Sequence, residues 1–220
     1  MTYQVKLVKG LFRPSLSSFQ LKEAEEITAF KLKLVWVYIA SILLFSISGY
    51  FGIGTESVSK ELNGLGTERF ETGKLLVFLG NIIAGLILPS IFLFVSAMIF
   101  WVITDIPYIK IVVVQMIGFT LFLVEKFLLI PFFLLMDLNQ DANPFSLGVV
   151  SQYFIANDYF IHFFSEVSIF SVAIIVITYK YLKALSDKKP IIILLMICFS
   201  YLLYWFLAAF CSYLDVNVFV

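Results

Sequence analysis

Charged residues are scarce in this chain. Asp, Glu, Lys and Arg together make up 14% of its 220 residues, whereas soluble domains average about 25%. Hydrophobic residues reach 61%, and the mean hydropathy is +1.01. So few charges predict an integral membrane protein rather than a water-soluble one. Acidic and basic residues are equal at 15 each, so no overall positive field exists to attract nucleic acid.

Cysteine and histidine are also rare, with two Cys and one His in the chain, which excludes a Cys/His zinc cluster. Cys198 and Cys211 lie on one predicted helix, roughly 20 Å apart, so they cannot form a disulfide with each other. His162 and Glu166 have the spacing of two metal ligands, but that helix face offers no third ligand. We therefore predict no metal and no cofactor.

Catalytic motifs are lacking as well. The pair Glu25-Glu26 is similar to the paired glutamates of CAAX-type membrane proteases, but it precedes the first apolar run and has no Arg four places on. The Ser48-Gly49 pair lacks the surroundings of a rhomboid-like serine site. The glycines never take the spacing of a phosphate-binding loop. The sequence predicts a protein that is not an enzyme.

Long apolar runs are what the sequence does contain. Each is near or above the roughly 20 residues that a helix needs to cross the hydrocarbon core. The second run is longer than one crossing requires and has Pro89 near its middle, which predicts one kinked or tilted span. The fold class is therefore predicted as an all-α integral membrane protein, with a five-helix membrane domain over residues 34–210. The five runs are Leu34–Phe51, Leu75–Ile103, Ile111–Met136, Tyr159–Tyr179 and Ile191–Phe210.

The amino-terminal residues 1–33 carry six basic and three acidic side chains and no signal-peptide pattern. We predict a cytoplasmic tail. Pro14 and the pair Ser17-Ser18 indicate a helix start. The following apolar positions predict a short amphipathic helix on the membrane surface, although a solvated helix leading into the first span fits equally well. Those positions are Phe19, Leu21, Ala24, Ile27 and Phe30.

The distribution of basic residues predicts the orientation. With the amino terminus in the cytoplasm, eleven basic residues fall on the cytoplasmic side and three on the other. The positive-inside rule then favours a multi-pass plasma-membrane protein whose residues 211–220 form a short external tail.

Two adjacent charges, Glu125 and Lys126, interrupt the third apolar run. Each costs on the order of 3 kcal/mol at such a depth, so both should have partners. Counting about 1.5 Å per residue places Asn81, His162 and Glu166 in the same outer layer of the membrane. We expect Glu166 to accept from Lys126, and Asn81 or His162 to donate to Glu125. The layer could form a polar cavity for a small ligand or proton relay, pair helices structurally, or anchor a partner protein.

The turn after the third run, Asn143-Pro144-Phe145-Ser146-Leu147-Gly148, has a clear physical role. Pro144 restricts the turn, Phe145 points back to the interface, and Gly148 permits close approach. Together with Leu11-Phe12-Arg13-Pro14 and the predicted five spans, this turn resembles the Yip family, named for Ypt/Rab-interacting proteins. The order of predicted elements matches over nearly the whole chain, whereas the amino-acid sequence matches only at these residues. The resemblance implies a non-enzymatic five-helix protein, whose bacterial relatives are often found beside ABC exporters.

The sequence therefore predicts a membrane protein that binds and stabilises or regulates a partner membrane protein. The resemblance points to an ABC exporter involved in envelope stress or peptide-toxin defence, and self-association is the other partner considered. The alternative is a small transporter or channel-like subunit that uses the layer of Glu125, Lys126 and Glu166 as its binding site.

Overall fold

The computed structural model describes residues 2–53, 67–136 and 143–213. Within these ranges the chain is helical apart from two three-residue strands, turns and connecting loops, so the predicted all-α class is confirmed. A π-helical turn, Ile91–Val95, lies between the helices that end at Ser90 and begin at Ser96. The elements in chain order are β1 Thr2–Gln4, α1 Leu7–Phe12, α2 Pro14–Lys22, β2 Glu26–Thr28, α3 Phe30–Tyr50, α4 Thr67–Ser90, α5 Ser96–Ile103, α6 Tyr108–Met136, α7 Gly148–Ser151, α8 Asp158–Glu166, α9 Ile169–Leu185 and α10 Pro190–Tyr213.

Among the residues that the structure describes, four stretches of helix are long and apolar enough to cross a membrane. They coincide with the first, second, third and fifth predicted runs, because continuous apolar side chains make helix burial in hydrocarbon favourable. The chain is thus a multi-pass membrane protein. The four stretches are Phe30–Tyr50, Glu71–Ile103, Tyr108–Met136 and Pro190–Phe210.

The second of these stretches is one helix of 33 residues rather than two short ones, as its sequence predicts. Pro89 lies inside α4, and the π-helical turn begins two residues later. Proline has no N–H to donate, and its ring displaces the carbonyl four residues earlier, so regular α-helical bonding is interrupted near it.

The fourth predicted span, Tyr159–Tyr179, is not a continuous helix. Helix α8 ends at Glu166 and α9 begins at Ile169, which leaves Val167 and Ser168 outside both. Helix α9 has 17 residues, fewer than a typical span. The prediction of five unbroken spans is therefore not confirmed.

The amphipathic helix predicted for the amino-terminal tail is not one continuous helix through Phe30. Helix α2 ends at Lys22, and residues Glu26–Thr28 form β2, which pairs in parallel with β1. The predicted apolar face is consequently split. Phe19 is exposed, whereas Leu21 and Ala24 are buried. Local periodicity could not anticipate this, because the partner strand of β2 lies more than 20 residues earlier in the chain.

Buried contacts hold this amino-terminal segment in place. The hydroxyls of Tyr3 and Ser17 lie 2.7 Å apart, and the hydroxyl of Tyr181 donates to the carbonyl oxygen of Gly10 at 3.0 Å. Burial raises the pKa of Tyr3, while its bond to Ser17 acts in the opposite direction. A Cβ added at Gly10 would lie 2.8 Å from Cδ1 of Ile117, so only glycine fits there without a shift.

The chain divides into two compact units, and the first comprises residues 1–40, 87–124 and 170–202. Its core is the first part of α6, where all nine residues from Ile111 to Phe119 are buried. Apart from Gln115 and Gly118 these residues are apolar on all sides of the helix, and such a helix is expected to be surrounded by other segments. In the same unit the hydroxyl of Ser186 donates to Asp105 at 2.6 Å, and this bond is the main reason why the pKa of Asp105 is lowered.

The second unit comprises residues 41–86, 125–169 and 203–220, of which 54–66, 137–142 and 214–220 lie outside the described residues. Most of the predicted external tail and part of the predicted first loop are among them. Aromatic packing contributes to this unit, since the ring of Phe163 lies 4.7 Å from that of Phe206 and 6.2 Å from that of Trp205. The unit also contains every residue of the predicted polar layer and of the predicted turn.

Candidate functional site

Glu125 is the centre of the candidate site in the second unit. It lies on α6, and the residue is only 6% exposed. Its carboxyl group is hydrogen-bonded by the side chains of Ser168 and Asn143 and interacts electrostatically with the adjacent Lys126. A buried carboxyl group requires such partners, because leaving it without them in a low-dielectric environment is costly.

The turn at residues 143–148 is arranged around Asn143. The Oδ1 atom of Asn143 accepts from the backbone N–H of Phe145 at 2.9 Å, which forms an Asx turn. This bond assigns the side-chain NH₂ group as the donor to Glu125. The carbonyl oxygen of Asn143 accepts both the N–H of Ser146, at 3.1 Å, and its hydroxyl, at 3.0 Å. Both ends of the Asn143 side chain are therefore used, one within the turn and one towards α6.

The same turn pairs with the break between α8 and α9. Ser146 and Ser168 form an antiparallel bridge, in which Leu147 N–H donates to Val167 at 3.0 Å and Ile169 N–H donates to Phe145 at 2.9 Å. Non-helical backbone in a membrane protein is tolerated where other protein groups satisfy its hydrogen bonds. The bridge supplies these bonds, and we infer that it allows the helix to break at Val167.

An aromatic contact fastens the turn to α6. The rings of Phe132 and Phe145 are 5.7 Å apart and nearly perpendicular, the edge-to-face geometry that aromatic rings prefer. Phe132 follows Glu125 by two helical turns and therefore lies on the same face of α6. One face of α6 thus contacts the turn through both a carboxyl group and a ring. Phe145 and Gly148 therefore both contact other parts of this protein. Phe145 packs against α6, and Gly148 is buried and begins α7.

Two exposed aromatic side chains follow helix α7, close to this turn in the chain. Ser151 is buried and donates its hydroxyl to the carbonyl oxygen of Gly148 at 2.7 Å. The N–H of Phe154 donates to the carbonyl oxygen of Ser151 at 3.0 Å. Tyr153 and Phe154 themselves are 83% and 85% exposed. We call Tyr153 and Phe154 the aromatic pair.

Lys126 faces a different place from Glu125, as expected for neighbours about 100° apart on a helix. It lines a cavity of about 110 Å³ together with Asn81, Ser48 and apolar side chains. The amide nitrogen of Asn81 donates to the carbonyl oxygen of Val77 at 3.0 Å within its own helix. Asn81 also meets α3, because a Cβ on Gly49 would come within 2.9 Å of its own Cβ.

His162 and Glu166 both lie on α8 and are half-buried. The side chain of Asn157 caps this helix by accepting from the N–H of Tyr159 at 3.0 Å. Among the described residues, no group of three or more His, Cys, Asp and Glu side chains could hold a metal ion. The pairing of Lys126 with Glu166 stays a prediction.

Two parts of the predicted layer can be described. One joins Glu125 to the turn at Asn143, and the other joins Lys126 to Asn81. Sequence reasoning missed Ser168 and Ser48. A polar residue inside an apolar run is the signal that could have indicated Ser168, but serine is too common in membrane helices to be specific.

No protein-family model, characterised protein or solved structure matches this chain. The resemblance to the Yip family therefore stays a prediction that rests on layout and on the turn at residues 143–148. The function has to be argued from the geometry of the second unit.

Proposed function

We propose that this chain is a non-enzymatic membrane protein that binds and stabilises or regulates another integral membrane protein. The partner class that follows from the Yip resemblance is an ABC exporter with a role in envelope stress or peptide-toxin defence. The proposal treats Glu125 and Lys126 as groups that hold a binding surface in shape, not as reactive groups.

One observation carries this proposal: the aromatic pair is exposed on a segment that many hydrogen bonds keep in place. Protein interfaces are enriched in aromatic residues, which bury a large area at a small cost in conformational entropy. The segment starts at Gly148, directly after a turn anchored to Glu125, Ser168 and Phe132. A preorganised aromatic surface binds a partner with less loss of conformational freedom than a mobile loop would.

A photo-crosslinking amino acid placed at Phe154 tests this proposal in native membranes. We expect it to crosslink to a transporter that also co-purifies with the tagged chain in a fixed ratio. The matched control is the same amino acid at Phe12, which is 82% exposed but belongs to the first unit. That position should give no transporter adduct.

Adducts with lipid alone at Phe154 would contradict partner binding and indicate that the pair belongs to an interfacial aromatic belt. Adducts with a second copy of the chain would indicate self-association instead. The alternative function, a small transporter or channel-like subunit, is favoured by one observation, the cavity that Lys126 and Asn81 line. Ion flux through the purified chain in vesicles, abolished by Lys126→Met, would support that alternative.

We also propose that the chain crosses the plasma membrane five times, with its amino terminus in the cytoplasm. Helix α9 would make the additional crossing, since its 17 residues span about 25 Å. Five crossings place the two termini on opposite sides. A protease-protection assay on intact cells with tags at both ends should remove only the carboxyl-terminal tag. If the protease removed both tags or neither of them, the number of crossings would be even.

A further inference from the structure

A groove of about 620 Å³ lies in the first unit, between the chain entering α3 and the start of α6. Residues 24–32 form one wall and residues 107–110 contribute the other. Ala29 shapes the first wall, because its φ of 61° is left-handed and turns the chain from β2 into α3. The groove is a concave surface that the proposed function does not use.

The position of the groove along two helices is consistent with the depth of lipid headgroups. Both α3 and α6 qualify as membrane spans, and the groove is lined by the first residues of each. The rings of Trp101 and Tyr108 pack edge to face at this end of α6, with centroids 6.3 Å apart. Trp and Tyr are enriched at the boundary between hydrocarbon and headgroups, so this pair is consistent with that depth.

The lining combines basic and apolar side chains. Lys31 and Lys110 are the two basic residues, and Glu25 is the one acidic residue, so the lining has a net positive charge. Lys110 is held in place, because its Nζ donates to the carbonyl oxygen of Lys22 at 2.8 Å. An ammonium group has three donors, so this bond is compatible with a second acceptor.

The apolar part of the lining matches the other half of a lipid. Leu32 and Ile109 line the groove and are 59% and 53% exposed. A soluble anion would leave these side chains uncovered, whereas acyl chains would bury them. Basic groups beside an apolar wall, at the end of two spans, have the chemistry of an amphipathic anion.

We propose that this groove binds an anionic phospholipid, with Lys31 and Lys110 on its phosphate and Leu32 and Ile109 against its acyl chains. Glu25 opposes the binding by its charge and limits its strength. The proposal concerns the first unit and does not depend on the partner proposed for the aromatic pair.

The test measures lipid selectivity of the purified full-length chain. The chain is placed in nanodiscs that contain phosphatidylcholine and increasing phosphatidylglycerol, and the lipids retained after mild delipidation are counted by native mass spectrometry. We expect preferential retention of phosphatidylglycerol. The double substitution Lys31→Gln with Lys110→Gln should reduce this preference about tenfold, since each basic group near the surface contributes a few-fold.

Two matched variants make the result specific. Lys189→Gln removes an exposed charge of the same unit that lies outside the groove, and it should reduce the preference by no more than the few-fold effect of one basic group near the surface. Glu25→Gln should increase the preference, and this gain remains measurable if the double variant fails to fold. Inorganic phosphate at millimolar concentration should not compete.

Three results would overturn the proposal. The chain could retain phosphatidylcholine to the same extent as phosphatidylglycerol. Alternatively, Lys189→Gln could weaken retention as much as the double variant does. Competition by inorganic phosphate would mean that the groove binds a soluble anion without the acyl chains.

Discussion

Replacing Glu125 by alanine is expected to lower the free energy of unfolding by about 3 kcal/mol, because it removes the acceptor of two buried hydrogen bonds. Ser168 and Asn143 would each lose this acceptor in a site that is largely buried. The measurement is denaturant or thermal unfolding of the purified chain in detergent. If the chain binds a partner as proposed, crosslinking from Phe154 should fall as well, since the turn before it loses its anchor.

The controls for Glu125 come from two serines near the same helix break. Ser168→Ala should destabilise by about 1 kcal/mol, the value of one buried hydrogen bond. Ser165→Ala should have almost no effect, because that hydroxyl donates to Ile161 at 2.9 Å within its own helix. The double variant of Glu125 and Ser168 should lose less stability than the sum of the two single variants. Strict additivity would show that the two groups are not coupled.

Replacing Gly85 by alanine is expected to destabilise the second unit by about 2 kcal/mol, through overpacking between α3 and α4. The new Cβ would lie 3.0 Å from the Cα of Ile42, 3.1 Å from the Cβ of Phe45 and 3.3 Å from the carbonyl oxygen of Ser41. Two of these atoms belong to the backbone, so no side-chain rotation relieves the contact. Small residues allow membrane helices to approach this closely, and a methyl group forces them apart.

Gly80 provides a matched control on the same helix, because a Cβ there would have nothing within 4 Å. Gly80→Ala should leave the unfolding temperature unchanged or raise it slightly, since alanine favours the helix. If both alanines destabilised the protein equally, the loss at Gly85 would come from the backbone and not from the helix contact.

Much of the fold could be predicted because membrane insertion depends on the transfer free energies of the side chains, added along the chain. The apolar runs beginning at Leu34, Leu75, Ile111 and Ile191 are all confirmed as helices, and each helix begins earlier than its run, by eight residues at Leu75 and by at most four at the others. Transfer of an apolar side chain into hydrocarbon is favourable wherever the side chain occurs, so composition over about 20 residues is sufficient.

The fourth run was not confirmed as a span because its helix break depends on contacts with a distant segment and not on local composition. Its residues are apolar around Ile174, whereas His162 and Glu166 flank Phe163, and the helix is interrupted at Val167 and Ser168. The interruption is paired with the turn at residues 145–147, about 20 residues earlier. The amino-terminal segment behaves similarly, since β2 depends on β1.

The candidate site was predicted in part. A buried charge in a membrane span indicates that partners exist, and this reasoning selected Glu125. The turn beginning at Asn143 was selected separately, by its turn residues and the resemblance that they carry, and the donors expected for Glu125 were Asn81 or His162. It did not identify Ser168 as a partner, because depth along a helix places groups in a layer without giving the direction in which each side chain points. Lys126 accordingly lines a cavity with Asn81, although it neighbours Glu125 in sequence.

The sequence alone therefore determined that the chain belongs in a membrane, that the runs beginning at Leu34, Leu75, Ile111 and Ile191 form long apolar helices, and that Glu125 needs partners. Only the tertiary structure decided where the fourth run breaks and which groups reach Glu125. The physical reason is that hydrophobic transfer is additive and local, whereas a hydrogen bond requires two groups to meet with the correct distance and direction. Which distant groups meet is settled by the packing of the whole unit.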